Sequence, residues 1–510
     1  MKGAMLKLYR FFSLVVFVVM AVCMAAILVV GIRHPANHLI SWQMAVGIFV
    51  GTVLVLVLVL LWEKWVLARP FQVLGGKLYP VLLLGYGSFI YLLSFFHRNS
   101  PGSFVDYSVV YNAAMQLAES GEITDAGYFL IYPNNFKLAL YLGALFRAAI
   151  AVGFEDPYYF VLAIGVVQVL AAVWATDYLL RSVPRYEIYR IPLFAGYMFM
   201  LPIYANTQAF YTDQMSFWQA VCALACFLYA HRHCGDRKIF SVALAGFAGG
   251  LCAFGYTVKA TALIPVIAAV IVYILVYLPS GEKEKKPRPM LWAAFVIFFA
   301  LTMLFTEKWA NQYDVYRQSA NTANPVSSWV AIGLVGDGSF GEDIEYSHTL
   351  NAMESKAEKK VYTSQYIREH SANFLDPTHF LAKLNCNFGD GSLGTKDYTY
   401  YALYPGNLIY ELYAPWGKYY WRTQQICFVY LFVLYVSYFL GAVSGIILWA
   451  GKKEIPAQLL FVQLSFLGNI MFLMLWEANN RQLYNQVPIL VLGWIINLVL
   501  IRKTLLKHVK

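Results

Sequence analysis

Five ionisable residues in this 510-residue chain stand beside long apolar stretches and have side chains suited to catalysis or to anion binding. Carboxylates can act as a general base on an acceptor hydroxyl, and Lys and Arg can hold a phosphate. Neutralising a phosphate leaving group in a partly dehydrated site lowers the barrier to its departure. A lipid with a phosphate-linked sugar fits this set, with its tail in a bilayer and its phosphate at the interface. The five residues are Asp106, Asp213, Lys259, Glu477 and Arg481.

Each of the five also has a plainer structural interpretation. Asp106 and Asp213 precede helical patterns and could cap them. Lys259 and Arg481 could extend to the membrane interface without doing chemistry. Glu477 and Arg481 are four residues apart and could form only a helical ion pair. Charges near a bilayer are costly and are often retained for function, so their presence on one face together favours a site more than any single residue does.

Membrane-spanning helices must position these residues, because the composition is not that of a soluble protein. Hydrophobic residues make up 60% of the chain and charged residues 13%, and the mean hydropathy is +0.56. Soluble domains carry about 25% charged residues. The net charge of +10 comes from basic residues in short segments between apolar runs, which indicates membrane topology and predicts no nucleic-acid partner.

The apolar runs predict an all-α polytopic bundle of about twelve transmembrane helices, since a run of roughly 18 residues can cross a bilayer. The predicted spans are 8–30, 44–65, 77–96, 157–180, 191–210, 214–230, 239–256, 260–278, 291–305, 425–450, 456–476 and 487–500. The first run continues without an evident cleavage site, which favours a retained helix over a signal peptide.

The distribution of basic residues predicts the orientation of these spans. With the N-terminus in the cytoplasm, all the basic connections also fall inside, provided that residues 136–153 do not cross the membrane. That segment is short and carries Lys137 and Arg147, so we interpret it as a juxtamembrane helix on the outer surface. The five ionisable residues then share one extracytoplasmic face of a multi-pass plasma-membrane protein.

Four regions follow from this layout. Residues 1–76 hold an N-terminal helix pair, 77–306 a transmembrane core with an outer loop at 97–153, 307–423 an extracytoplasmic loop region, and 424–510 the C-terminal helices. The 307–423 region is too long for a plain connection and is predicted to contain helices, including 347–370. Its glycine-rich stretches, 333–341 and 389–394, are predicted to be loops. The seven cysteines lie mostly in apolar runs and predict no disulfide framework.

From residue 97 to the C-terminus, a series of short motifs resembles the GT-C superfamily of integral membrane glycosyltransferases, nearest its family 39-like bacterial members. Each motif is short, and the ordered series is more specific than any member. The motifs are Phe104-Val105-Asp106-Tyr107, Tyr132-Pro133-Asn134-Asn135, Tyr211-Thr212-Asp213, Gly255-Tyr256-Thr257-Val258-Lys259, and Glu477 with Arg481 and Tyr484. The chain departs from the pattern in three places: Asp106 has no adjacent acid, residues 481–484 read Arg-Gln-Leu-Tyr, and two spans precede the usual first helix.

The resemblance implies a transferase that moves a sugar from a polyprenyl-phosphate donor to a glycan, lipid or protein acceptor outside the membrane, usually with inversion. It implies that Asp106 is the catalytic base and that Asp213 is a second acid, orienting the acceptor or a metal. A divalent cation, Mg²⁺ or Mn²⁺, is left open, because two separated aspartates offer fewer oxygens than a hard cation takes. No residue is assigned as a metal ligand.

For donor binding, the resemblance implies that Lys259 and Arg481 hold the phosphate. Glu477 would orient Arg481 or contact the sugar, and Tyr132 and Asn134 would shape the pocket. These assignments follow from matching positions in the motifs, one residue at a time.

Two other functions fit a chain of this kind. A glycan polymerase or ligase using lipid-diphosphate donors also has many spans and a large outer loop, and would depend more on outer Arg and His residues. A lipid-linked glycan transporter or flippase would have ionisable or broken-helix features near the middle of the membrane, and often two related halves. The chain shows no repeat, and it lacks Gly-x-Ser-x-Gly and Walker A motifs, which disfavours a serine hydrolase and a P-loop NTPase.

Overall fold

The structure is a computed structural model, and it describes residues 2–33, 43, 45–54, 57, 74–99, 106–124, 126–280, 288–400 and 402–506. Within these ranges it is all-helical, as the composition predicts, and contains no strand. All seven cysteines are free thiols. Much of the predicted span 44–65 lies outside the described residues.

The helices differ greatly in length, and the long ones alternate with short ones. The first thirteen are Lys2–Arg33 (α1), Ala45–Leu54 (α2), Tyr79–Phe96 (α3), Asp106–Glu119 (α4), Gly127–Ile131 (α5), Asn134–Ala151 (α6), Pro157–Leu180 (α7), Arg190–Met198 (α8), Pro202–Asn206 (α9), Thr212–Ser216 (α10), Gln219–His233 (α11), Lys238–Val258 (α12) and Ile264–Ser280 (α13). The others are Pro289–Ala310 (α14), Asp314–Thr322 (α15), Ser328–Ile332 (α16), Ile344–Ala352 (α17), Lys356–His370 (α18), Pro377–Phe388 (α19), Thr395–Thr399 (α20), Leu408–Tyr413 (α21), Tyr420–Ala450 (α22), Ala457–Leu475 (α23) and Val487–Leu506 (α24).

Four 3₁₀ segments complete the described helical structure: Tyr186–Tyr189, Ala260–Leu263, Ser371–Leu375 and Asn480–Gln486. The glycine-rich stretches 333–341 and 389–394 are turns and loops, as predicted. The predicted helix 347–370 is two helices, α17 and α18, interrupted at 353–355.

The prediction of about twelve spans is not confirmed. In the described ranges, eight helical segments are long and apolar enough to cross a bilayer. Three predicted spans are interrupted or shorter: 191–210 divides into α8 and α9, 214–230 into α10 and α11, and 260–278 into a 3₁₀ turn and the 17-residue α13. Pro202 accounts for the start of α9, because a proline has no N–H for the helix before it.

The last span, Asn480–Ile501, is buried at every residue except Arg481 and therefore forms the centre of the bundle. Small residues allow close helix packing, which substitutes for a hydrophobic driving force between helices in lipid. At Gly249 of α12, an added Cβ would lie 2.0 Å from the backbone oxygen of Phe295 in α14. At Gly493, it would lie 1.9 Å from the hydroxyl of Tyr438.

One end of the bundle collects connections that the charge distribution predicts to be cytoplasmic. The Tyr9 hydroxyl donates to the backbone oxygen of Ile455 (3.0 Å), and the Gln458 amide donates to that of Ser182 (3.1 Å). The first contact joins α1 to the connection after α22, and the second joins the start of α23 to the connection after α7. We call this the basic end, for its residues Arg10, Arg181, Arg185, Arg190, Arg232, Arg237, Lys238, Lys452 and Lys453.

The opposite end carries the two segments that the sequence predicts to be outer loops, and these pack on each other. Lys137 of α6 pairs with Glu307 (2.7 Å), and Asn324 donates its backbone N–H to the oxygen of Ile131 (3.1 Å). Helix α6 packs on α4, α7 and α12. Its start meets Glu307, and its end lies six residues before α7 begins, so both of its ends are at this end of the bundle. It is not among the candidate spans.

Candidate functional site

The side chain of Asp213 is the centre of a charged cluster at the end opposite the basic end. It is fully buried and forms an ion pair with the ammonium of Lys259. The hydroxyl of Tyr398 donates to its Oδ2 (2.6 Å), and Nε of Arg481 lies 3.5 Å from the same oxygen. One carboxylate therefore holds two cations from two different helix junctions.

Interrupted helices bring these residues together. The backbone is extended at three positions between helical segments: Tyr211, Lys259 and Asn479. These breaks at span ends allow Asp213, Lys259 and Arg481 to approach one another. Non-helical backbone at membrane depth is tolerated where protein groups satisfy it. Here the Gln486 side chain donates to the backbone oxygen of Thr261 (3.1 Å).

Buried amide and hydroxyl groups join the interruptions to one another. The Tyr484 hydroxyl donates to Gln214 Oε1 (2.8 Å), which connects the last span to α10. The Asn485 amide donates to the hydroxyl of Thr261 (2.7 Å), which connects it to the turn after Lys259. Such a network fixes the positions of the charges, because an unpaired polar group in this setting is costly.

Asp106 lies at the first residue of α4 and is exposed. The Tyr211 hydroxyl donates to its Oδ2 (3.3 Å) and accepts from the amide of Asn135 (3.1 Å). That amide also donates to the hydroxyl of Tyr128 (2.6 Å). Tyr211 thus fixes the orientation of the Asp106 carboxylate, whose other oxygen accepts no hydrogen bond from a described residue.

Glu477 is buried just after α23 and interacts electrostatically with Arg481, Asp106 and Lys259. Burial raises the pKa of its carboxyl to about 7, opposed mainly by Arg481. Burial also lowers the pKa of Lys259, an effect that the charge of Asp213 opposes. All five residues singled out from the sequence thus belong to one electrostatic cluster.

Arg481 has an uncommitted guanidinium. Its Nε is buried and makes no hydrogen bond, and within the described ranges its terminal nitrogens donate none either. Its guanidinium also lies over the face of the Tyr211 ring, 5.3 Å from the centroid. The side chain is 22% exposed, so part of it is accessible although its Nε is buried.

Tyr132 and Asn134, the two predicted pocket residues, lie at the edge of the cluster. The Tyr132 ring stands 6.0 Å from that of Trp329, and its hydroxyl interacts electrostatically with Asp106 and Glu477. Asn134 is exposed and donates to the side-chain oxygen of its neighbour (3.0 Å). The amide that reaches Tyr211 belongs to that neighbour, Asn135.

Sequence reasoning missed three residues of the cluster. Tyr211 belongs to the motif Tyr211-Thr212-Asp213, but the sequence assigned it no role in the site. Tyr398 lies in the short helix α20, which no sequence motif marks. Lys383 is a buried lysine of α19 whose ammonium donates to the oxygen of Gly333 (2.6 Å). Burial lowers its pKa to about 8, and Glu477 opposes this shift. A lysine in an amphipathic helix is expected on the exposed face, so the sequence pattern does not reveal that Lys383 is buried.

The residues around Asp213 do not fit a divalent cation. Its two oxygens already contact Lys259, Arg481 and Tyr398, and a metal ion there would face both positive charges. In the part of the chain that the structure describes, no three His, Cys, Asp or Glu side chains meet as metal ligands.

The family model described as "Conserved hypothetical integral membrane protein" matches residues 1–499. No curated protein matches the chain. No solved structure matches it either.

Proposed function

We propose that this chain, which belongs to the family of conserved hypothetical integral membrane proteins, is a membrane glycosyltransferase with a GT-C-like fold. It moves a sugar from a polyprenyl-phosphate donor to a cell-wall polymer, a glycolipid or a protein. The observation that carries the proposal is the guanidinium of Arg481, which is ion-paired to Asp213 but donates no hydrogen bond to any described residue. Such a group suits a phosphate, which takes two N–H groups of an arginine at once.

The position of the two cations favours a lipid donor over a soluble one. Lys259 directly follows the span Lys238–Val258, and Arg481 is the second residue of the span Asn480–Ile501. A phosphate held there lies at the membrane boundary, with its polyprenyl chain beside the helices. In this proposal Asp213 acts as a positioning residue that keeps both cations in place before the donor arrives.

Asp106 is the proposed catalytic base. It removes the proton of the acceptor hydroxyl while the acceptor oxygen bonds to the anomeric carbon of the sugar. The bond from that carbon to the phosphate oxygen breaks on the opposite face, which inverts the configuration. Lys259 and Arg481 stabilise the charge that develops on the departing polyprenyl phosphate. Tyr211 holds the Asp106 carboxylate for this step.

Glu477 tunes the phosphate site in this proposal. Because burial raises the pKa of its carboxyl to about 7, it carries little charge in mildly acidic conditions and a full charge in basic ones. As a neutral acid it can donate a hydrogen bond to a sugar hydroxyl. As a carboxylate it competes with the donor phosphate for Arg481.

The reaction takes place on the extracytoplasmic face of the cell membrane in this proposal, since the basic end suits the cytoplasm by the positive-inside rule. A cysteine placed at the exposed Val361 should react with an impermeant maleimide added outside intact cells. A cysteine at Gly235, an exposed residue of the basic end, should react after permeabilisation alone. The reverse pattern would overturn this orientation.

Replacement of the base is the direct test of the enzyme assignment. Asp106→Asn should abolish sugar transfer from a panel of radiolabelled polyprenyl-phosphate hexoses and pentoses in membranes, with expression and donor levels unchanged. Glu119→Gln, at the other end of the same helix and also exposed, removes the same charge and should leave transfer intact. Normal transfer by the Asp106 variant would rule out this residue as the base.

A second candidate, a lipid-linked glycan flippase, is favoured by the interrupted helices, which also occur in transporters. The breaks here lie at span ends, beside the charged cluster. A proteoliposome assay separates the two functions: a flippase moves labelled polyprenyl-phosphate sugar between leaflets without an acceptor, whereas the transferase consumes it when an acceptor is present. Leaflet exchange with no transfer would favour the flippase.

A further inference from the structure

A cavity among the described residues lies in the half of the bundle nearer the basic end, away from Asp213. It has a volume of about 380 Å³ and lies between α7, α11, α13, α14, α23 and α24. Its walls are mainly apolar, with Phe227, Val270, Trp292 and Phe461 among them. Ser182, His231, Arg232 and Gln458 supply its polar edge. We call it the basic-end cavity.

A second apolar cavity, of about 310 Å³, adjoins the basic-end cavity along α13. The two share Val266, Val270 and Phe295, and the second extends to Leu263. The two cavities together run from Tyr273 of α13 to Leu263, the residue just before that helix, which is ten residues or about 15 Å at 1.5 Å per residue. That length is about half of a bilayer's hydrocarbon core, which is the depth of one leaflet.

The helices that form these walls face lipid as well as each other. Ile267 and Ile274 on α13 and Val296 on α14 are exposed, and α14 is the least buried of the candidate spans. An apolar trough between such helices, opening at the level of one leaflet, has the shape and polarity of a site for an alkyl chain.

The positive charge of Arg232, at the polar edge of the basic-end cavity, favours a lipid with a negatively charged headgroup. Arg232 is exposed and contacts the Tyr178 ring (5.7 Å to the centroid), but within the described ranges it forms no ion pair. The same end carries many further cations and, by the positive-inside rule, faces the leaflet that is rich in anionic lipids. A phosphate at Arg232 would sit directly above an acyl chain in the cavity.

We propose that the basic-end cavity binds an anionic glycerophospholipid, with one acyl chain along α13 and its phosphate on the Arg232 guanidinium. The headgroup end of this site, at Arg232, is separate from the cluster around Asp213, which lies at the other end of the bundle. The inference therefore does not depend on the proposed transferase activity.

Lipid retention tests the headgroup contact. The full chain is reconstituted in vesicles of phosphatidylcholine and phosphatidylglycerol in equal amounts, extracted in mild detergent and weighed by native mass spectrometry. Wild-type protein should retain one phosphatidylglycerol in preference to phosphatidylcholine, and Arg232→Gln should reduce this preference about tenfold, as the loss of a charge-assisted contact predicts. Arg237→Gln, an exposed charge at the same end that does not line the cavity, should behave as wild type.

A second pair of variants tests the acyl-chain path. Ala269→Trp fills the cavity, whereas Ala243→Trp adds the same side chain at an exposed position of α12 outside it. Retention should be lost in the first variant and kept in the second. Equal retention by the two arginine variants, or no preference for phosphatidylglycerol in wild type, would overturn the proposal even if the Ala269 variant failed to fold.

Discussion

Each end of the bundle buries one aspartate against two cations, and the two arrangements differ in what the cations do next. At the basic end, Asp177 is fully buried and takes two bonds from Arg190, at 2.8 and 3.2 Å, with Arg181 at 3.7 Å. Arg190 also donates to the oxygen of Gly75 (2.6 Å) and lies over the Tyr79 ring. At the other end, Asp213 holds Lys259 and Arg481, and the arginine donates no hydrogen bond to a described residue.

A buried acid with two bases is therefore not by itself a binding site. Around Asp177, Arg190 donates its hydrogen bonds to the carboxylate and to a loop carbonyl. These bonds hold the connection before α3 against α7 and α8. Around Asp213, the guanidinium of Arg481 donates no hydrogen bond to a described residue. Two more carboxylates, Asp106 and Glu477, lie nearby. Unspent hydrogen-bonding capacity in a buried place favours ligand binding.

The largest effect should come from the basic end, on stability. Arg190→Gln leaves the carboxylate of Asp177 buried with Arg181 as its remaining cation, which should reduce the free energy of unfolding by about 3–5 kcal/mol. Denaturant unfolding of the purified protein in detergent measures this loss. Transfer activity per folded molecule should stay at the wild-type value, and a specific loss of activity would contradict the contrast between the two ends.

The counterpart at the other end should act on the reaction instead. Arg481→Gln removes phosphate stabilisation and should lower sugar transfer by about 10²–10³-fold, the range seen when one preorganised donor is lost. Because this arginine donates no hydrogen bond to the described residues, stability should fall by less than in Arg190→Gln. Sugar-transfer kinetics and denaturant unfolding, measured on the same preparation, test these two expectations. Unimpaired transfer would contradict the phosphate-binding role of Arg481.

A matched pair of tyrosines gives a smaller effect. Tyr398→Phe removes the hydroxyl that donates to Asp213, and the loss of a hydrogen bond to a charged group, about 1.5–3 kcal/mol, should raise the donor KM about tenfold or more. Tyr79→Phe at the basic end keeps the ring over Arg190 and removes a hydroxyl that has no hydrogen-bond partner among the described residues. That variant should match wild type in both stability and kinetics; equal effects of the two changes would remove the distinction between the ends.

The smallest effect concerns pH. Since burial raises the pKa of Glu477 to about 7, its carboxyl is mainly neutral below that pH and negative above it. The added negative charge weakens donor binding, so the donor KM should rise roughly threefold between about pH 6 and about pH 8. Glu477→Gln should flatten this profile and keep the low KM throughout. A pH dependence that persists in the variant would assign the titration to another group.

The extent to which the site could be predicted varies with the kind of interaction. Charge distribution located Asp106, Asp213, Lys259, Glu477 and Arg481 at one end, because apolar runs fix where a chain crosses a membrane and basic segments fix its direction. The same reasoning passed over Asp177, because it lies inside a predicted span.

Pairings across the fold escaped prediction for a different reason. The contact of Tyr398 with Asp213 joins residues 185 positions apart, and no local pattern encodes it. The choice between Asn134 and Asn135 depends on which face of α6 turns inward, and the motif alone leaves that open. Three predicted spans, 191–210, 214–230 and 260–278, are not among the eight candidates of the described ranges, because hydropathy does not register breaks held by buried side chains.

By itself, the sequence determined that this chain is a polytopic helical membrane protein and which charges lie at its helix ends. The free energy of transferring apolar side chains out of water is nearly additive, so it can be summed along the chain to predict the spans. The tertiary structure alone decided which cation each carboxylate holds and which donors stay free. Those outcomes depend on distances of a few ångströms between distant segments, where a hydrogen bond is either made or absent.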